Sequence, residues 1–167
     1  AIAATNPSTG GLALRATPTT GIWLPADPFD MLFILRHQLN GGLASATLLR
    51  IGASDDPGNT SAAANGIYFE KLAADTNWFS VTRSGAVETR TDTTVAATAN
   101  VWYRLRIRRA SAGANILFTI DDANEQSHSA NIPTADLMPE MTIRTSEAVA
   151  KHIEPDYFDL LIHSITR

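Results

Sequence analysis

The side chains able to do chemistry in this 167-residue chain are carboxylates, arginines and four histidines; cysteine is absent. That removes thiolate metal sites, disulfide scaffolds and Cys nucleophiles at once. A retaining glycosidase needs two carboxylates about 5–5.5 Å apart, which alternating positions on one strand would supply. No such pair stands out. Glu70 is alone on its stretch, Glu88 is followed two residues later by Arg90, and Glu125 and Glu140 sit near turns. Asp156 and Asp159 are an odd number apart, so an ideal strand sends them to opposite faces. Hard-oxygen donors cluster twice, at Asp55, Asp56 and Asn59 and at Asp121, Asp122 and Asn124. Both loops could take calcium, but the same residue types make ordinary Asx turns. The turn reading is preferred, and no cofactor is expected. His37, His128, His152 and His163 share no zinc-ligand spacing, and no nucleophile elbow accompanies any Ser. The protein is not expected to be an enzyme.

One basic pattern is left. Arg104, Arg106 and Arg108 alternate behind Trp102, which puts all four on one face of a strand. Arg104 and Arg106 could grip an anionic sugar, with Trp102 or Trp78 as a stacking platform. The plainer reading is that cross-strand carboxylates such as Glu70, Glu88 and Asp159 neutralise the ladder, with Trp packed between Arg stems.

The elements that must position these groups read as short strands. Within Asn100–Asp121, Tyr103, Leu105 and Ile107 oppose Trp102 and the arginines, and Ile116, Phe118 and Ile120 repeat the period after a small, Gly-bearing turn. That is a hairpin with one apolar face. Earlier strands are expected at Leu12–Ala16, at Phe29–Leu39 (where a short helix competes), and at Ala46–Ile51, Ile67–Leu72, Trp78–Arg83 and Ala86–Thr91. Asn40-Gly41-Gly42, Asp75–Asn77 and Ser84-Gly85 turn between them. Later ones are expected at Glu125–Ser129, Met141–Thr145 and Asp156–Thr166, with one helical turn at Ala135–Leu137. Phe33, Phe69, Phe79, Phe118 and Phe158 are assigned to the core. Ala1–Gly11 lacks apolar periodicity and reads as an extended arm, leaving residues 12–167 as one domain. With 44% hydrophobic residues the chain can bury one sizeable core. A net charge of −4 argues against nucleic acid as a partner, and no apolar run is long enough for membrane insertion. Many short strands with Gly, Asn and Pro turns mean an all-β sandwich or jelly roll.

Taken together, Asn65-Gly-Ile-Tyr-Phe-Glu, Asn77-Trp-Phe-Ser-Val-Thr-Arg, Asn100-Val-Trp-Tyr-Arg-Leu-Arg-Ile, Ile116-Leu-Phe-Thr-Ile-Asp, Ile132-Pro-Thr-Ala-Asp-Leu-Met-Pro and Asp156-Tyr-Phe-Asp-Leu resemble a known group. They are similar to concanavalin-A-like (lectin/glucanase) domains, in the form common in structural and tail proteins of tailed bacteriophages. The resemblance covers Ile67–Arg167 well and Leu12–Asn65 only in general pattern. The glucanase pattern Glu-x-Asp-x-x-Glu is absent. The resemblance implies a non-enzymatic virion component, a head-decoration, tail or fibre module at the phage particle surface. It would bind other virion subunits through its arm and form a closed homo-oligomer such as a trimer. The alternative it implies is a carbohydrate-binding, lectin-like module for host cell-surface glycans.

Overall fold

The computed structural model describes residues 2–4, 8–13, 25–39, 47–57, 63–145 and 151–163. Among the described residues, twelve strands divide between two sheets. Sheet A has the order β1 (Ile2–Ala4), β12 (Lys151–Ile162), β3 (Phe29–Leu39), β8 (Trp102–Arg109), β9 (Ile116–Ile120) and β10 (Ala123–His128). Sheet B has β2 (Ser8–Ala13), β11 (Met138–Thr145), β4 (Thr47–Ser54), β5 (Gly66–Lys71), β6 (Asn77–Ser84) and β7 (Val87–Ala96). The pairings that join each strand to its neighbours are antiparallel. This is a jelly-roll β-sandwich.

The alternation that defines the strands also builds the core. Phe29, Met31, Phe33 and Leu35 of β3, Tyr103, Leu105 and Ile107 of β8, and Ile116, Phe118 and Ile120 of β9 point inward from sheet A. They meet Leu49, Ile51 and Ala53 of β4, Ile67 and Phe69 of β5, and Met141 and Ile143 of β11. The expected hairpin is present, with Leu105 opposite Ile120 and Ile107 opposite Phe118. The tight turn after Ser84 uses Gly85 at φ 56° and Ala86 at φ 69°.

Four expectations need correcting or placing. Phe79 is not a core residue. Trp78, Ser80 and Thr82 take the inward positions of β6, while Phe79 and Val81 face outward. The hydroxyls tolerate the interior because His128 satisfies them, at 2.9 Å to Ser80 Oγ from Nε2 and 3.0 Å to Thr82 Oγ1 from Nδ1. Thr82 Oγ1 also donates to the Ala130 carbonyl, so it accepts from Nδ1–H, and Nε2 accepts from Ser80. The helical turn at Ala135–Leu137 is absent; Leu137 instead buries its side chain in the core. The stretch expected as an arm carries β1, paired with β12, and β2, paired with β11, so β2 runs across the 11/12 boundary. Residues 14–16 of the expected Leu12–Ala16 strand and the turn at Asn40–Gly42 lie outside the described residues.

Candidate functional site

The outward face of sheet A carries the arginine ladder. Trp102 is 46% exposed, and the Arg36 guanidinium lies 5.1 Å from its ring centroid. Each ladder member has its own carboxylate. Arg104 Nη1 donates to Asp122 Oδ2 at 2.6 Å, Arg106 pairs with both oxygens of Asp30, and Arg108 Nη2 reaches Glu125 at 3.0 Å. Arg36 pairs with Glu154 at 2.5 Å. The ladder is therefore neutralised as the plainer reading expects, but by other partners: Glu70 and Glu88 are on sheet B, and the ion pairs go to Asp30, Asp122 and Glu125. Two shallow depressions open here. One of 170 Å³ lies among Asp30, Leu32, Arg104, Arg106, Asp159 and Leu161, and one of 270 Å³ lies between Arg106, Arg108 and Glu125. Among the described residues, each of the four arginines on this face is already paired with a carboxylate.

Trp78 lies elsewhere. It is fully buried in the core, edge-on to His37 at 5.7 Å and to Tyr103 at 5.6 Å, so it cannot stack on a ligand from solvent. The acidic loops serve the fold. Asp55 accepts from the Asn65 backbone at 3.1 Å and from Asn65 Nδ2 at 2.8 Å, closing the loop between β4 and β5. Asp121 accepts from the Arg104 backbone N–H at 2.8 Å, and both Asp121 and Asp122 adopt positive φ in the β9–β10 turn. Asp56 is exposed, and Asn59 lies outside the described residues. Among the described residues no group of three His, Asp or Glu is placed to hold a metal ion.

The outward face of sheet B is built differently. Its register aligns Thr142, Arg50 and Glu70 in one row, Glu140, Gly52, Tyr68, Val81 and Arg90 in the next, and Ser54, Gly66, Arg83 and Glu88 in a third. Apart from Val81 and the two glycines these residues are polar, yet most are buried: Arg50 is 6% exposed, Glu70 4%, and Tyr68 and Ser54 0%. Burying charge is costly unless it is paired, and here it is. Glu70 accepts from Arg50 Nε at 3.0 Å and from Arg90 Nε at 3.1 Å, and Arg90 continues to Asp75. The Arg90 guanidinium carbon sits 3.5 Å from the Phe79 ring centroid, which explains why that phenylalanine faces outward. Arg50 lies 5.2 Å from the Tyr68 ring. Tyr68 itself is laid flat against the sheet by two glycines. A Cβ on Gly66 would stand 2.5 Å from Tyr68 Cε1, and one on Gly52 would stand 2.5 Å from Tyr68 Cα. Burial pushes the Tyr68 phenol well above its ordinary pKa, so it stays protonated.

The polar relay Arg50–Glu70–Arg90–Asp75 and the glycine-cradled Tyr68 are the functional candidates that sequence reasoning missed. The signal was present in weak form. Tyr68 and Glu70 share the polar side of Gly66–Lys71, Glu88 and Arg90 share a side of the next hairpin, and glycine recurs at Gly52 and Gly66 inside strands, where it marks a close approach.

Two six-stranded sheets in this order make the protein a concanavalin-A-like jelly roll, the class that holds lectins, glucanases and carbohydrate-binding modules. Within that class the chain belongs to the family described as SO2946-like, C-terminal domain, which matches residues 3–148. No curated protein matches it in sequence. Among solved structures it is similar to a protein of unknown function, SO2946, from Shewanella oneidensis MR-1, at 14% identity and a TM-score of 0.62 over 92% of this chain and 69% of that one. A family 7 alginate lyase, A1-II', in complex with its product gives 11% identity and 0.63 over 92% and 71%. The carbohydrate-binding module CBM66 from Bacillus subtilis gives 10% and 0.55 over 95% and 84%. At these identities the likeness is one of fold.

Proposed function

We propose that this domain is a carbohydrate-binding module that holds a glycan against the outward face of sheet B. The observation that carries the reading is the buried Arg50–Glu70–Arg90–Asp75 relay on a face that could have been apolar. Ligand sites combine exclusion of water with a few fixed polar groups, and a sugar hydroxyl needs both a donor and an acceptor. An Arg–Glu pair with fixed geometry offers both. The carbohydrate-binding module and the lyase among the similar folds support a sugar ligand.

We take the domain to be non-catalytic. Both carboxylate oxygens of Glu70 are engaged within the protein, Oε2 accepting from Arg50 Nε and Oε1 from Arg90 Nε. Its nearest outward neighbours along β5, Gly66 and Tyr68, supply no second carboxylate.

A glycan array read with the wild type, Arg90→Ala and Trp102→Ala tests this. Binding should fall tenfold or more in Arg90→Ala and persist in Trp102→Ala. The reverse pattern would move the site to sheet A. Silence from a folded protein across the array would overturn the glycan reading. It would favour a second one, a virion subunit that binds its neighbours through Trp102, Tyr157 and Leu161, the large apolar side chains exposed on the outward face of sheet A.

A further inference from the structure

At one end of sheet A a cavity of 370 Å³ opens where β3 begins and β8 and β12 end. Pro28, Phe29, Asp30, Arg108, Arg109 and His163 line it, with Ala110 at the rim. The frame is fixed. Phe29 pairs with Arg109 and Asp30 with Arg108 across the two strands, and the His163 backbone N–H donates to the Pro28 carbonyl at 2.9 Å. The cavity is larger than either depression on the outward face and falls within the range of about 300–1,000 Å³ usual for small-molecule sites.

Charge in this cavity does not balance. Asp30 is taken by Arg106, which pairs with both its oxygens, and Arg108 is taken by Glu125. Arg109 has no carboxylate partner among the described residues. Its Nε donates to the Ala114 carbonyl at 2.8 Å and its Nη1 to the Pro25 carbonyl at 2.6 Å. Carbonyls carry only partial charge, and Arg109 is 7% exposed. A cation buried without a counter-ion is costly. A guanidinium has more N–H groups than these two carbonyls use. Among the described residues Nη2 has no partner, and it is not sealed from solvent. The two bonds come from the segment ahead of β3 and from the β8–β9 hairpin, so the guanidinium is held in place before a ligand arrives.

We infer that this cavity binds a small organic carboxylate, which supplies the counter-ion that Arg109 lacks. The site is at the end of the sandwich, apart from the sheet B relay, and does not depend on the glycan reading. A guanidinium fork matches the two oxygens of a carboxylate. Charge selects the same class. One unpaired cation is neutralised by one monoanion, whereas phosphate, largely dianionic at neutral pH, would bring surplus negative charge beside Asp30.

The test is titration of the whole chain with acetate, benzoate, benzamide and inorganic phosphate, followed by proton–nitrogen NMR. Acetate or benzoate should shift the Arg109 Nε–H signal and the backbone signals of Phe29, Arg109, Ala110 and His163, and the shifts should saturate. Benzamide, the uncharged counterpart of benzoate, and phosphate should each bind at least tenfold more weakly than the better carboxylate. If neither carboxylate moves these signals, or if benzamide or phosphate binds as tightly, the inference fails. Arg109→Lys keeps the charge and gives up the fork, so carboxylate binding should drop at least tenfold. Because Arg109 also braces two loops, a second variant leaves it in place. Ala110→Phe, at the exposed rim, should obstruct the cavity and weaken binding by a similar factor with the melting temperature unchanged. Undiminished carboxylate binding in either folded variant would overturn the assignment.

Discussion

His37 is buried on the inner side of β3, stacked on Tyr103 at 6.0 Å and edge-on to Trp78, with neither ring nitrogen bonded. Burial, helped by the charge of Lys71, pulls its pKa from 6.5 down to about 4. The unfolded chain takes up a proton near pH 6.5 that the native state refuses until about pH 4. Stability is therefore full above the unfolded value and falls as the pH drops through that window, by roughly 3 kcal/mol at about 1.4 kcal/mol per unit. His128 is also lowered by burial and acts in the same direction. Urea unfolding from pH 7 to pH 4 should show a steeper loss in the wild type than in His37→Phe. Parallel profiles would exclude His37 as the cause. Calcium gives a second expectation at this scale. Asp55 and Asp121 already accept hydrogen bonds that shape their loops, so adding calcium or a chelator should leave the melting temperature unchanged. A calcium-dependent rise would expose a site in those loops.

At the scale of the element, β6 shows where period-2 reasoning succeeds and where it fails. The strand and its hairpin partners were legible from alternation and from Ser84-Gly85. Its polarity was not, because Ser80 and Thr82 look outward in any sequence scan and become inward only once His128, 46 residues beyond Thr82, caps them. The arginine ladder was legible as a face for the same local reason, since Trp102 to Arg108 lie on one strand. The sheet B relay was not, because Arg50, Glu70 and Arg90 come from three strands whose register no local pattern specifies. That register depends on close contact at Gly52, where an added Cβ would meet backbone atoms of both Ile67 and Tyr68. Gly52→Ala should force β4 and β5 apart and cost about 2–4 kcal/mol, with sugar binding lost alongside. Chemical denaturation of the variant is the direct check, and a stability change below about 0.5 kcal/mol would show that the sheet absorbs the methyl group.

For the whole molecule, Ile2–Ala4 and Ser8–Ala13 add to both layers. β1 adds to sheet A beside β12, and β2 adds to sheet B beside β11. Composition alone presents this stretch as an arm, since the signal for pairing lies in its partners rather than in its own residues. Without residues 1–13 the backbone edges of β12 and β11 would be bare, and bare edges recruit other chains. The truncated protein should show concentration-dependent association by light scattering, where the full chain holds a fixed mass. A truncation that stays at one mass would argue that those edges are protected otherwise.

The contact between Trp78 and His37 also gives the core an optical readout. A protonated imidazole beside an indole quenches its emission, whereas a neutral one does so far less. With Trp23 and Trp102 replaced by Phe, the remaining fluorescence would come from Trp78 alone. Its brightness would then report the charge of His37 from inside the sandwich, without a label, and would show whether the acid form is reached before the two sheets separate.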